Sequence, residues 1–89
     1  MSDPNIDLYL KPGCPWCSQA VQWLDGEGFV YAAHDVIAEP EKFEEMENLT
    51  GQTLAPCLRV RVAEGDDLIL PDFGPEELEA FVKQHALTP

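Results

Sequence analysis

Basic residues are scarce in this chain: 5 lysines and arginines stand against 17 acidic residues, giving a net charge of −12. A nucleic-acid role calls for a basic patch, so none is expected. An anionic membrane surface would repel the same charge. No apolar run approaches the ~20 residues of a membrane span. The first residues, Met1 to Asn5, show neither a basic stretch nor an apolar one, so no export signal is read there. A reducing cytoplasm is the expected location. Cysteines number only 3, too few for a disulfide-stapled scaffold, and in a reducing compartment they point to chemistry rather than to stapling. Linkers, repeats and low-complexity stretches are also missing, and 89 residues suffice for one domain with a single modest core.

What remains is ordinary globular composition, with 45% apolar and 25% charged residues, and one dense motif. Lys11 to Cys17 read K-P-G-C-P-W-C. Two cysteines two residues apart can close into a disulfide or stand open as a dithiol. Proline is tolerated at the first position of a helix, where its missing N–H costs nothing. With Pro15 there, Cys14 lies at the helix mouth and Cys17 one turn inside. A thiolate at Cys14 would face free backbone N–H groups and the positive end of the helix dipole, the setting of the nucleophiles of thiol–disulfide exchange. The competing reading of C-x-x-C is half of a zinc site, which needs a second Cys or His pair. Cys57, His34 and His85 are scattered, so no metal is expected.

Around this motif the periodicities lay out a compact order. Ile6, Leu8 and Leu10 alternate with Asp7 and Tyr9 as in a strand. Cys17, Ala20, Val21 and Leu24 recur at helical spacing to about Glu27, with Trp23 at the edge of the core. Phe29 to Val36 reads as a second strand, in which His34 is structural or solvent-facing. Pro40 opens a second helix with Phe43, Met46 and Thr50 on a weakly apolar face, its glutamates solvated, and Gly51 at its end. Leu58, Val60 and Val62 make a third strand with Cys57, Arg59 and Arg61 on the other face. Gly65-Asp66-Asp67 turns the chain into Leu68–Leu70, and Gly74-Pro75 starts a helix with Leu78, Phe81, Val82 and His85 on one side. The first few residues and Ala86 to Pro89 are expected to fray. The order β-α-β-α-β-β-α implies a four-stranded mixed sheet with helices on its faces, an α/β fold over residues 1–89. A C-x-x-C at the first strand-to-helix turn of such a chain reads as thioredoxin-like.

Two stretches carry a more specific resemblance. Y-L-K-P-G-C-P-W-C, ending at Cys17, resembles the glutaredoxin pattern Y-x-K-x-x-C-P-Y-C, with Trp16 in place of tyrosine. T-G-Q-T-L-A-P, Thr50 to Pro56, resembles that family's T-G-Q-x-T-V-P. The resemblance implies a nucleophilic Cys14, a resolving Cys17, a cis peptide at Ala55–Pro56, and glutathione as co-substrate in a groove between these segments. Lys11, Trp16, Gln52, Ala55, Pro56 and Gly74 are the residues it would place against glutathione or another substrate, and disulfide-containing proteins are the expected partners of a monomer. Leu54 and Ala55 replace the family's Thr-Val. Asp72-Phe73-Gly74-Pro75 stands where it has Gly-Gly, putting a bulky Phe73 where close backbone approach is wanted. Glu76 and Glu77 either take the place of the family's acidic pair or serve the helix dipole. The resemblance also admits a thioredoxin-like electron carrier reduced by a flavoenzyme, and a glutathione-ligated iron–sulfur dimer. Cys57 is expected near the dithiol as a half-buried small residue, the alternative being a third thiol that glutathionylates or links two chains.

Overall fold

Seven elements follow one another in the computed structural model, which describes residues 5–62 and 65–89. They are β1 (Ile6–Leu10), α1 (Pro15–Glu27), β2 (Ala32–Asp35), α2 (Pro40–Thr50), β3 (Cys57–Val60), β4 (Leu68–Pro71) and α3 (Pro75–Gln84). The sheet order is β2-β1-β3-β4. β1 and β2 run parallel, joined through α1, while β3 pairs antiparallel with both β1 and β4. This is the mixed sheet that the element order implies.

The period-2 alternation of β1 sorts its side chains to two faces. Ile6 and Leu8 join Leu58 and Val60 of β3, Ala20 and Leu24 of α1, and Leu78 and Phe81 of α3 in the larger core. Tyr9 points the other way, into a smaller core with Val36, Met46 and Cys57 under α2. On that second face the strand also buries Asp7, which is only 6% exposed. A carboxylate at such a place needs partners, and it has two: His34 Nε2 at 3.0 Å and Arg61 Nη2 at 3.0 Å. His34 is therefore structural, its ring tilted against Tyr9.

Local chemistry sets the helix boundaries. Each helix begins with proline at its first position. Gly28, at φ +83°, ends α1. Its N–H donates to the Asp25 carbonyl and the Phe29 N–H reaches back to that of Leu24, a Schellman closure sealed by the apolar contact it usually carries. Because Phe29 is consumed in that closure, the second strand is shorter than its composition predicts and pairs only over Ala32–Asp35. β3 likewise stops at Val60 rather than Val62, with one further bond from the Arg61 N–H to the Asn5 carbonyl.

Other expectations change with the side chains in view. Thr50 contributes no apolar face: its hydroxyl donates to the Met46 carbonyl at 2.8 Å and accepts from the Gln52 N–H. Glu45 leaves the solvated glutamate run to accept a hydrogen bond from the Tyr9 hydroxyl at 2.8 Å, and Lys42 and Arg59 flank it. Arg59 reaches on to Asp67 at 2.8 Å, tying the β3–β4 turn to the sheet. Ala86 and Leu87 do not fray either. The N–H of Leu87 donates to the Val82 carbonyl, and the Leu87 side chain packs on the larger core. The expected fraying of the first residues falls on positions outside those described.

Candidate active site

The parallel strands β1 and β2 end beside each other, held there by the Val36 N–H on the Leu10 carbonyl. β1 delivers the chain directly into Lys11–Cys14, and Gly13, at φ +73°, makes the turn. Cys14 is the N-cap of α1, with extended backbone, and its sulfur accepts the N–H of Cys17 at 3.2 Å. One of the free donors of the helix end is thus aimed at the sulfur. Cys14 is partly exposed, whereas Cys17 is buried. The two cysteines are unlinked.

Burial, together with its hydrogen bond to Cys14, raises the Cys17 thiol to about 11. Cys17 therefore keeps its proton at neutral pH. Cys57 is separated more thoroughly. It is fully buried rather than half-buried, and burial pushes its thiol to about 12. It lies under α2 on the face of Tyr9, as the strand alternation predicts.

The second wall of the site is the segment before β3. The Ala55–Pro56 peptide is cis, as the resemblance implies, and Pro56 is buried. The Cys14 thiol makes a long contact, 3.9 Å, with the Ala55 carbonyl. Lys11 Nζ donates to the Thr53 carbonyl at 2.6 Å and lies 5.5 Å from the centre of the Phe43 ring. Its charge thus pins the Cys14 turn to the Thr53 loop. Gln52 is turned inward on that loop: its carboxamide donates to the Leu54 carbonyl and accepts the Leu54 N–H. It braces the backbone beside the site.

The third wall comes from the start of α3. Trp16 is 53% exposed, and its ring lies on Gly74, the N-cap of α3. A Cβ at Gly74 would stand 2.5 Å from Trp16 Cζ3, so only glycine lets the ring rest there. Phe73 does not obstruct the site. Its side chain is 3% exposed and belongs to the larger core, with the φ of +44° at Asp72 turning the backbone to let it in. The structure thus gathers Lys11, Cys14, Trp16, Gln52, Ala55, Pro56 and Gly74 on three adjoining segments, with Cys17 beneath Cys14. Leu54, read from the sequence only as a replacement for the family's threonine, is 53% exposed beside Ala55 and adds a second apolar surface at the rim. Among the described residues no group of three His, Cys, Asp or Glu side chains is placed to hold a metal.

Fold and site together define a thioredoxin-like protein. The sequence matches the glutaredoxin family over residues 6–62, and the chain belongs to that family. It is 36% identical over 53 residues to a glutaredoxin of Neisseria meningitidis, a match covering 58% of this chain and 62% of that protein. Against glutaredoxin 3 of Escherichia coli K12 the identity is 31% over 52 residues, covering 58% and 63%. The chain thus matches a little under two thirds of the length of these relatives. In three dimensions it is similar to a glutaredoxin from Archaeoglobus fulgidus, at 16% identity and a TM-score of 0.71 over 90% of this chain and 87% of that one. It is also similar to the thioredoxin-like protein BC3987, at 21% and 0.68 over 84% and 96%.

Proposed function

We propose that the chain is a thiol–disulfide oxidoreductase in which Cys14 attacks and Cys17 resolves. The observation that carries this reading is the asymmetry of the pair: a partly exposed sulfur capped by a helix N–H, above a buried thiol held in its protonated form.

The Cys14 thiolate attacks one sulfur of a substrate disulfide and releases the other half as a thiolate, which takes up a proton. A mixed disulfide joins Cys14 to the remaining half. The hydrogen bond and negative charge of Cys14, two of the causes that raise the Cys17 thiol, are lost when Cys14 enters that bond. Cys17 then gives up its proton more readily, attacks the Cys14 sulfur and expels the second thiolate. Two electrons have passed from the dithiol to the substrate, leaving a Cys14–Cys17 disulfide. A donor thiol, glutathione or the dithiol of a flavoenzyme, returns the pair to its reduced form. Lys11, Ala55 and Pro56 hold the substrate strand over Cys14 in this reading, and disulfide-bearing proteins are its partners. The cytoplasm is the proposed setting, because a reducing compartment keeps the dithiol charged with electrons.

The test is differential trapping. In Cys17→Ser the mixed disulfide on Cys14 should accumulate and be seen by mass spectrometry, and in Cys14→Ser no adduct should form. Iodoacetamide at neutral pH should label Cys14 first, and faster labelling of Cys17 or Cys57 reverses the roles or discards them.

A further inference from the structure

Resting on that dithiol reading, we propose that Trp16 and Glu77 close the α3 N-terminus to anionic thiol ligands, so that the site prefers disulfides flanked by cationic groups over glutathione disulfide. An exposed helix N-terminus close to a reactive sulfur is an attractive seat for a carboxylate. The start of α3 has the position but not the vacancy. The Trp16 ring lies across Gly74, its nearest atoms 2.5 and 2.9 Å from where a Cβ would stand. Glu77 Oε2 lies 3.2 Å from the same point, so the chain's own carboxylate stands beside the N-cap of the helix. Glu77 is the third residue of α3 counted from Pro75, the position from which an acidic side chain folds back on its own N-cap.

The two clefts beside the ring extend the argument. One, of about 240 Å³, is lined by Trp16, Asp72, Phe73, Gly74 and Glu77. The other, of about 360 Å³, is lined by Trp16, Gln19, Pro75, Glu76 and Glu77. Neither holds a basic residue, and each is at or below the low end of the ~300–1,000 Å³ of small-molecule pockets, fit for a side-chain tip. An ammonium or guanidinium entering either would meet carboxylates and an exposed indole face, which also attracts cations. The Lys11 ammonium is committed to the Thr53 carbonyl, across the site from α3. The fitting occupant is a disulfide with lysine or arginine next to the sulfur, presented by a basic protein surface that the −12 charge would also steer inward.

The experiment is a single turnover without external donor. Fully reduced protein is mixed with cystamine (a dication), bis(2-hydroxyethyl) disulfide (neutral) or glutathione disulfide (an anion), and formation of the Cys14–Cys17 disulfide is followed by mass spectrometry. Each rate is divided by that of dithiothreitol with the same disulfide, which removes leaving-group differences. Cystamine should exceed glutathione disulfide by about tenfold or more at low ionic strength, with the gap narrowing in salt. Glu76→Gln with Glu77→Gln, both exposed positions, should cut that ratio several-fold, and Trp16→Ala should raise the glutathione disulfide rate. Equal normalised rates, or a ratio untouched in the double variant when its melting temperature matches the parent's, would overturn the proposal while leaving the dithiol mechanism standing. Failure of all three disulfides to oxidise the pair would sink both.

Discussion

Replacing Cys14 by serine should abolish the chemistry and yet, at a pH that keeps the native thiol protonated, leave the protein at least as stable as before. The Cys14 sulfur is the N-cap acceptor of α1, taking the Cys17 N–H at 3.2 Å from an extended backbone. Serine places an oxygen on the same Cβ and is among the preferred N-caps, worth about 0.5–2 kcal/mol over alanine. A thiolate is the stronger acceptor at a helix N-terminus but a protonated thiol the weaker one, so in acid the native residue should fall between the two. For a domain of this size about 1 kcal/mol moves the melting temperature by roughly 4–8 °C. The expected order of melting temperatures, measured in acid on reduced protein by circular dichroism, is Cys14→Ser at the top, then the native chain, then Cys14→Ala several degrees below serine. Both variants should be inactive. Equal melting temperatures for Ser and Ala would show that the side chain does not cap the helix. The placement of the nucleophile argued from that cap would then fall with it.

The remaining predictions probe other parts of the molecule. Cys57→Ser should leave turnover of small disulfides nearly unchanged while lowering stability, because a hydroxyl is substituted at a fully buried position; a loss of activity as large as that of Cys14→Ser would refute its structural role. Burial pushes the Cys57 thiol from 9.0 to about 12, so above pH 9 the unfolded chain sheds a proton that the native one keeps, and stability falls as pH rises, by up to about 4 kcal/mol from this group at pH 12. Urea titrations should show Cys57→Ala flattening that alkaline limb; an unchanged slope refutes the assignment. Burial raises the Glu45 carboxyl, but bonds from Tyr9 and Lys42 and the charges of Lys42 and Arg59 outweigh it and hold the group below its ordinary value. Its stabilisation is therefore complete above the ordinary carboxylate range, ~4.3, and lost as pH falls below it, a limb that Glu45→Gln should flatten in acid titrations. Lys11→Ala should slow reaction with disulfides of every charge, since the residue pins Thr53; a loss confined to anionic substrates and abolished by salt would make it a ligand contact instead.

The elements and the place of the two cysteines at the start of α1 were legible in the sequence because their signals are local. A proline at each helix start, a glycine after α1 and α2, strict alternation in β1 and a C-P-W-C turn each act within a few residues. The polar side of the sheet was not legible. Asp7 meets Arg61 across 54 positions, and Tyr9 meets Glu45 across 36. No period connects such pairs, so Glu45 reads as one more solvated glutamate. Phe73 was misjudged for a related reason: its place in the chain puts it at the site, but the backbone turn at Asp72 sends its ring into the core.

The same distinction separates the chemistry of the site from its selectivity. In the proposed mechanism, nucleophile and resolving thiol differ through contacts inside one turn of α1, so a seven-residue motif is enough to specify them. Selectivity rests on where α3 begins relative to that turn. Gly74 and Trp16 touch only because both α1 and α3 lie on the larger core, through Ala20 and Leu24 on one side and Leu78 and Phe81 on the other. Gly74, at φ −106° and ψ −178°, has backbone angles that alanine adopts freely, so its lack of a side chain serves the close contacts of Trp16 and, less tightly, Glu77. Gly74→Ala should accordingly leave the helix intact and displace the ring, which has open solvent to move into. Because the site loses its apolar lid while Glu77 stays, reactivity toward neutral disulfides should fall with little change in melting temperature. A large drop in melting temperature with unaltered reactivity would mean that the Trp16–Gly74 contact belongs to the core and not to the site.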